Sequence, residues 1–466
     1  GRARGLRNRL SELISDDEKA LSELEAIIDI ARELPSRGWQ NRISSGSQFG
    51  TAETFFSALR ICLYGRIENT ESLYDIQSGL YPATTSIIKA AHEFAANLKA
   101  LLTPLSQLEA SLLSIIDQKA ANFDSQTKSR FETAIKSLQR RAITPLTSWL
   151  LQLQDLASSE HGMTGRDGFV DWMQIDRIEG QDKDIGIYRH WLDPTIPFSE
   201  AVLQKAHGVA ITSATLRDTK LSTDTSSPKQ EYANSWQSAM QITGASHLPH
   251  PAIFSLHCSP FDYKNQTRIL VVNDIARERS AVTGAAMAAL MKEAGGGSLG
   301  LFTAIRRLRA IYPYLAGQLA SADIPLYAQH IDQMNLQTLL QLFRADKNSC
   351  LIGTDAVRDG IDVPGQALRM ILYDRVPWPR PDILFKARAN WIGKSELTDR
   401  LTRMKLRQAF GRLIRKAEDK GMFVMLDSRV PTRLTSAFPP DVTIERLPLA
   451  DALFQVRDFL GRKDNL

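Results

Sequence analysis

The sequence predicts an α/β domain, a parallel sheet with flanking helices, over residues 165–466, preceded by an all-α helical domain over 1–164. Three observations carry this. The first 160 residues place apolar side chains at the 3.6-residue period of amphipathic helices. Beyond about residue 165, short apolar runs alternate with helical stretches, the pattern of strands joined by crossover helices. Segments rich in Gly, Thr, Asp and Arg then fall where those runs end, and that is where an open α/β sheet presents its loops to ligands.

In the helical part, Ala20, Leu21, Leu24, Ile27, Ile28, Ala31 and Leu34 line one face of a helix over 18–34, ended by Pro35 and Gly38. Ile87, Ala91, Phe94, Leu98, Leu101, Leu105, Leu108, Leu112 and Ile115 repeat the pattern over 86–120, where Pro104 predicts a kink or a break. A further helix, about 126–157, follows the capping pair Asp124-Ser125 and carries Pro145 at a point that would divide it. In the second part the expected strands are 207–212, 268–273, 299–303, 324–328, 349–353, 368–373 and 421–427. Helices are expected over 276–293, 304–320, 335–345 and 397–417, and the polar insertion 217–235 reads as a mobile surface loop.

Bulk properties exclude little but exclude it clearly. A net charge of +5 on 466 residues permits a nucleic-acid partner without demanding one. Cys62, Cys258 and Cys350 are far apart and lack metal-ligand spacing, so reduced thiols of a cytoplasmic protein are expected, with no metal site. No apolar run approaches the roughly 18 residues of a bilayer span, so no membrane partner is expected. The chain opens on Gly1-Arg2 instead of Met, which suggests a fragment, a processed product or an engineered piece.

Four segments carry candidate chemistry. In 208–216 an apolar run ends in Thr212, Ser213 and Thr215, hydroxyls that could meet phosphate or simply close a strand with Ser/Thr turns. In 300–308 a strand ends at Thr303 and a helix begins at once, leaving free N–H groups at a positive helix end, an arrangement suited to phosphate. In 352–365, Gly353, Thr354, Asp355, Arg358, Asp359, Gly360, Asp362 and Pro364 crowd polar groups into one Gly/Pro-shaped loop. Gln408, Gly411, Arg412 and Arg415 are spaced i, i+3, i+4, i+7, one polar stripe if the helix runs through them, and two arginines one turn apart would fork around phosphate oxygens. Arg400, Arg403, Lys405, Arg407, Lys416 and Lys420 make the surroundings strongly basic.

Taken in order, these segments resemble the second motor domain of superfamily 2 helicases, specifically the DinG/XPD group. The pieces that carry the resemblance are Thr-Ser-Ala-Thr-Leu at 212–216, Asp-Gly-Ile-Asp-Val-Pro-Gly at 359–365, Val376-Pro377-Trp378-Pro379-Arg380-Pro381, Gln-x-x-Gly-Arg-Leu-Ile-Arg at 408–415 and Asp427-Ser428-Arg429. The resemblance covers roughly 165–440 and implies a RecA-like lobe; residues 1–160 correspond to the family's helical arch by position and helicity. It implies that Arg412 and Arg415 act as arginine fingers on the γ-phosphate of ATP, bound with Mg2+ against the other motor lobe. Gln408 would order that contact, and Gly360 and Asp362 would line the same cleft. Ser213 and Thr215 would couple nucleotide state to DNA grip, and Thr303 and Thr354 would bond backbone phosphates of single-stranded or forked DNA. Two places depart from the family's pattern: Val357-Arg358-Asp359, where a large aromatic and a Glu are usual, and Thr303-Ala304, where Thr-Ser is usual.

A phosphate-binding loop needs Gly-x-x-x-x-Gly-Lys-Ser/Thr after a strand. Gly393-Lys394-Ser395 lacks the first glycine, Arg388 standing there, and Gly295-Gly296-Gly297 precedes a strand instead of following one. No acid box for magnesium is present either. The family's first motor lobe and its iron–sulfur cluster are therefore expected upstream of residue 1, and the chain alone is not expected to hydrolyse ATP. A different class of reading remains, a non-catalytic helicase-derived module that binds nucleic acid or protein. The resemblance also leaves open a nuclease domain in the parent.

Overall fold

The computed structural model describes residues 6–68, 75–119, 123–158, 165–218, 228–276, 278–360, 363 and 365–460. It divides into two compact units, residues 1–193 with 382–387, and 194–381 with 388–466.

The first unit is the helical region. Its helices run Leu6–Leu13, Glu18–Ala31, Trp39–Ser45, Gly50–Arg66, Thr85–Lys119, Ser125–Leu138 and Thr144–Ser158. Asp17 and Asp124 cap two of them, accepting from Ala20 N (2.9 Å) and Thr127 N (2.6 Å) and so satisfying N–H groups that the helix cannot. Pro104 does not break the long helix Thr85–Lys119. Leu98, Leu101, Leu105, Leu108 and Leu112 are all buried, and burying each such side chain contributes roughly 1.5–3 kcal/mol, enough together to outweigh one lost hydrogen bond. At Pro145 the helix runs on through a π-turn, Gln139–Ile143, into Thr144–Ser158, and the missing N–H falls where the hydrogen-bond ladder is already shifted.

A small antiparallel sheet completes this unit: β1 (Ile76–Gly79), β2 (Phe169–Ile178) and β3 (Gln181–Trp191), in that order. Sequence reasoning missed it. Its signal is Glu179-Gly180, both at positive φ (53° and 80°), the two-residue turn whose twist matches paired strands. The change in texture at 165 thus marks the start of this hairpin, whereas the compact unit closes at Asp193.

The second unit is the expected parallel α/β layer. Its strands are β4 (Thr267–Val272), β5 (Ser298–Leu301), β6 (Leu326–Ala328), β7 (Cys350–Gly353), β8 (Met370–Tyr373), β9 (Gly421–Met425) and β10 (Ile444–Leu447), in the order β10-β4-β9-β8-β5-β7-β6. Every pairing is parallel. The two-residue period of a strand builds a core on each face. Ile269, Val271, Ile371, Tyr373, Phe423 and Met425 enter one; Leu270, Val272, Met370, Leu372, Met422 and Val424 enter the other.

Two expected elements differ. Residues 207–212 form no strand: they are exposed, and no described strand pairs with them. An apolar run has strand propensity but needs a neighbour to hydrogen-bond. Within the polar insertion, 219–227 lies outside the described residues, while Pro228 opens a helix to Thr243 that buries Trp236 and Ala239. β10 and the closing helix Leu449–Leu460 were not anticipated.

Candidate nucleotide and nucleic-acid interface

The helix Lys394–Phe410 organises three of the four motifs. Gln408 sits half-buried in its last turn. The expected stripe through 415 does not form, because the helix stops at Phe410 and Gly411 caps it. Arg412 N donates to Ala409 O (3.0 Å) and Leu413 N to Phe410 O (3.0 Å), tight turns that draw Leu413 and Ile414 into the core beneath the sheet. Asp419 then gathers the backbone N–H groups of Arg415 and Lys416, each at 2.8 Å. Arg412 and Arg415 therefore flank a buried Leu-Ile pair on the loop leaving the helix, both half-buried.

The other basic residues of this helix are mostly internal. Arg403 is 4% exposed and grips Asp218 through Nε (2.9 Å) and Nη2 (2.6 Å). Arg407 donates to the carbonyls of Arg217, Ser436 and Ala437, and Arg400 reaches Ser238 and Gln241. Burial pushes the pKa of Arg400 and Arg407 down from the ordinary arginine value. Through Arg403 and Arg407 the helix holds the segment carrying Ser213 and Thr215. There the Ser213 hydroxyl accepts from Thr215 N at 3.2 Å, a local Ser turn exposed to solvent.

Lys405 ties in the third motif, meeting Asp355 at 3.0 Å. The expected irregular loop is in part a short helix, Asp355–Gly360. Arg358, 5% exposed, is clasped by Asp359 and Asp355, while desolvation opposes its charge; its pKa is nevertheless raised. Only glycine fits at 353, because a Cβ there would lie 2.2 Å from Val357 Cγ2. Gly360 ends the short helix, and Asp362 lies outside the described residues.

At the carboxyl edge of the sheet, neighbouring strands bring Thr303 (after β5) beside Thr354 (after β7). The Thr303 side chain is exposed, and its N–H donates to Asp374 Oδ1 at 3.3 Å. Asp374, fully buried after β8, also accepts from Arg307 Nε at 3.3 Å. Burial pushes this carboxyl up to about 6, with Arg307 and Arg375 opposing the rise. Arg307 in turn donates to Thr283 (3.0 Å) and Ser280 (3.4 Å). Thr354 gives both its N–H (2.9 Å) and its hydroxyl (3.1 Å) to Gln329 Oε1. Asp374 and Gln329 were missed by sequence reasoning, and the only signal was their position one residue beyond a strand end; Arg307 lay within the 300–308 segment. Asp427, after β9, links back to β8's loop by accepting from Val376 N (3.1 Å).

Among the described residues no group of three or more His, Cys, Asp or Glu could hold a metal ion, and no helix is long and apolar enough to cross a membrane. Cys350 is buried, Cys62 half-buried and Cys258 exposed.

A parallel sheet with Thr, Asp and Arg loops on its carboxyl edge defines the class: residues 287–443 match the helicase C-terminal domain family, and the chain carries that domain. The chain is 36% identical over 166 residues to the ATP-dependent helicase DinG of Mycobacterium tuberculosis, a match covering 33% of this chain and 24% of that protein. It is 25% identical over 355 residues to the 3'-5' exonuclease DinG of Bacillus subtilis, covering 72% and 35%. It is 29% identical over 185 residues to the ATP-dependent DNA helicase YoaA of Escherichia coli, covering 38% and 28%. More particularly, then, the chain is similar over these stretches to the DinG and YoaA proteins. The matches span between about a quarter and a third of these relatives' lengths.

Proposed function

We propose that this chain is the ATP-sensing and DNA-gripping part of an ATP-dependent DNA helicase that acts in the cytoplasm on single-stranded or forked DNA. Arg412 and Arg415 reach the γ-phosphate of ATP, bound with Mg2+ on a first motor lobe of the same protein. Gln408 orders them, and Gly360 and Asp362 line the same cleft. Ser213 and Thr215 relay nucleotide state, and the carboxyl edge of the sheet, at Thr303 and around Thr354, holds the strand. The observation that carries the reading is the helix Lys394–Phe410. It is tied at once to the Ser213–Asp218 segment and the Asp355–Gly360 helix, and the arginine pair leaves its end. A change at the arginines can thus reach both other motifs through one rigid element.

A docking face for the first lobe is supported by two exposed apolar stretches, with Val209, Ile211, Ile253 and Leu256 uncovered. Exposed apolar side chains on unpaired segments of this kind suit an interaction surface. The chemistry fits as well: ATP hydrolysis builds charge on the transferred phosphoryl group, and arginine neutralises it without a proton transfer.

In a protein that includes the first lobe, Arg412→Ala is expected to lower DNA-stimulated ATP turnover by about 10³-fold while leaving single-strand binding intact. Unchanged turnover removes the arginine-finger assignment. The chain by itself is expected to bind single-stranded DNA weakly, with affinity falling steeply as salt rises. If the protein that includes the first lobe binds DNA but never turns over ATP, a non-catalytic binding module is left as the function.

A further inference from the structure

Thr354 is poorly placed to donate to a phosphate. Both of its donors, N–H and hydroxyl, already point at Gln329 Oε1, and Gln329 is nine-tenths buried, its own N–H donating to Ile352 O at 2.9 Å. A backbone N–H can face only the oxygen of an amide, so the orientation of Gln329 is determined. The Thr354 hydroxyl is left with lone pairs alone to offer. Its remaining neighbour is His330, whose Nε2 lies 3.4 Å from Thr354 Oγ1. With the hydroxyl proton on Gln329, the Nε2–H tautomer of His330 makes the imidazole the donor in that contact.

His330 is exposed, and its backbone is in the left-handed region at φ 68°, a conformation that favours glycine. Such conformations cost of order 1–3 kcal/mol in a non-glycine residue and concentrate at functional sites. Strand order adds the geometry. β6 lies next to β7, so the ends of β8, β5, β7 and β6 make a row carrying Asp374, Thr303, Thr354 and His330 at a spacing of about 4.8 Å per strand. Arg309, on the helix Ile305–Ala320, stands close enough to lower the imidazole's pKa, second to desolvation. The acids nearby are engaged elsewhere. Asp332 accepts from Ala328 N at 2.8 Å, and Asp355 is held by Arg358 and Lys405.

We infer that His330, oriented by Thr354 and Gln329, is the group that contacts a nucleic-acid phosphate at the β6–β7 end of this row, with Thr354 acting as a positioning residue. The inference rests on the single-strand reading above. An anionic oxygen is a better acceptor than a neutral hydroxyl at 3.4 Å, so a phosphate would take over the Nε2 proton. Being neutral at pH 7 when free, the imidazole would gain a proton on binding, and affinity would rise as pH falls.

The experiment is a titration of the whole chain with fluorescent oligothymidylate at several salt concentrations, at pH 6 and pH 8. His330→Ala is expected to weaken binding at pH 6 by about tenfold and to reduce the salt slope there by roughly 0.7. His330→Gln keeps a donor, so it is expected to recover much of the affinity at pH 8 but to lose the gain on going to pH 6. His330→Gly relieves the backbone and is expected to raise the melting temperature while still weakening binding, a combination that a merely structural histidine would not give. Overturning results are His330→Ala binding like the parent at both pH values, or Thr354→Val losing more affinity than His330→Ala. If the unaltered chain fails to bind the oligonucleotide at all, the single-strand reading itself falls and this inference falls with it.

Discussion

Two sets of arginines, adjacent in sequence, have different physical roles. Arg400, Arg403 and Arg407 lie on the helix Lys394–Phe410 and face inward, meeting a carboxylate, side-chain oxygens and backbone carbonyls. Arg412 and Arg415 follow within eight residues of Arg407 but lie on the loop that leaves the helix, around a buried Leu-Ile pair. A basic run thus mixes struts with the proposed site groups, and only the point where the helix ends separates them. Density of positive charge is therefore a poor guide to where phosphate is met.

This contrast can be broken by mutation, and the largest effect belongs to the struts. Arg403→Leu leaves Asp218 buried without its partner and is expected to cost about 3–5 kcal/mol in urea unfolding, with Asp218→Asn combined with it costing less than the sum. A loss below about 1 kcal/mol would mean that Arg403 behaves like Arg412 and Arg415 and not as a strut. Next comes Asp374, which holds Arg307, another inward arginine. Its carboxyl keeps a proton to about pH 6 in the fold against an ordinary value of 3.8. The folded state holds the extra proton between those values, so this contribution is full below about pH 4 and is lost as pH rises through about 6. Stability should fall by about 3 kcal/mol across that window, and Asp374→Asn should flatten the dependence. The smallest expected effect on stability is that of Arg412→Ala, under about 1 kcal/mol by the same unfolding measurement. A loss as large as that of Arg403 would make Arg412 a strut and erase the distinction.

The parallel layer was legible because near-continuous apolar runs such as 268–273 and 421–427 are buried on both faces and bounded by turns. What was not legible has physical reasons. The run 207–212 has the composition of a strand, but composition cannot supply a neighbouring strand. The stripe through 408–415 obeys helical spacing, yet Leu413 and Ile414 gain more from the core than one further helical turn would give. The hairpin at 169–191 mixes Asp, Gln and Arg with its apolar residues, so its alternation is diluted; the Glu179-Gly180 turn was the clearer sign. At the strand ends, Thr303 and Thr354 stood out by residue type. Asp374, Gln329 and His330 did not, because their importance lies in which strands are neighbours.

The uncovered residues Val209, Ile211, Ile253 and Leu256 also bear on the colloidal behaviour of the chain. Unpaired extended segments carrying apolar side chains are templates for pairing with another copy. Light scattering should therefore rise with concentration when the chain is purified alone. Replacing Ile253, which is 98% exposed, with lysine should suppress that self-association at no cost in melting temperature.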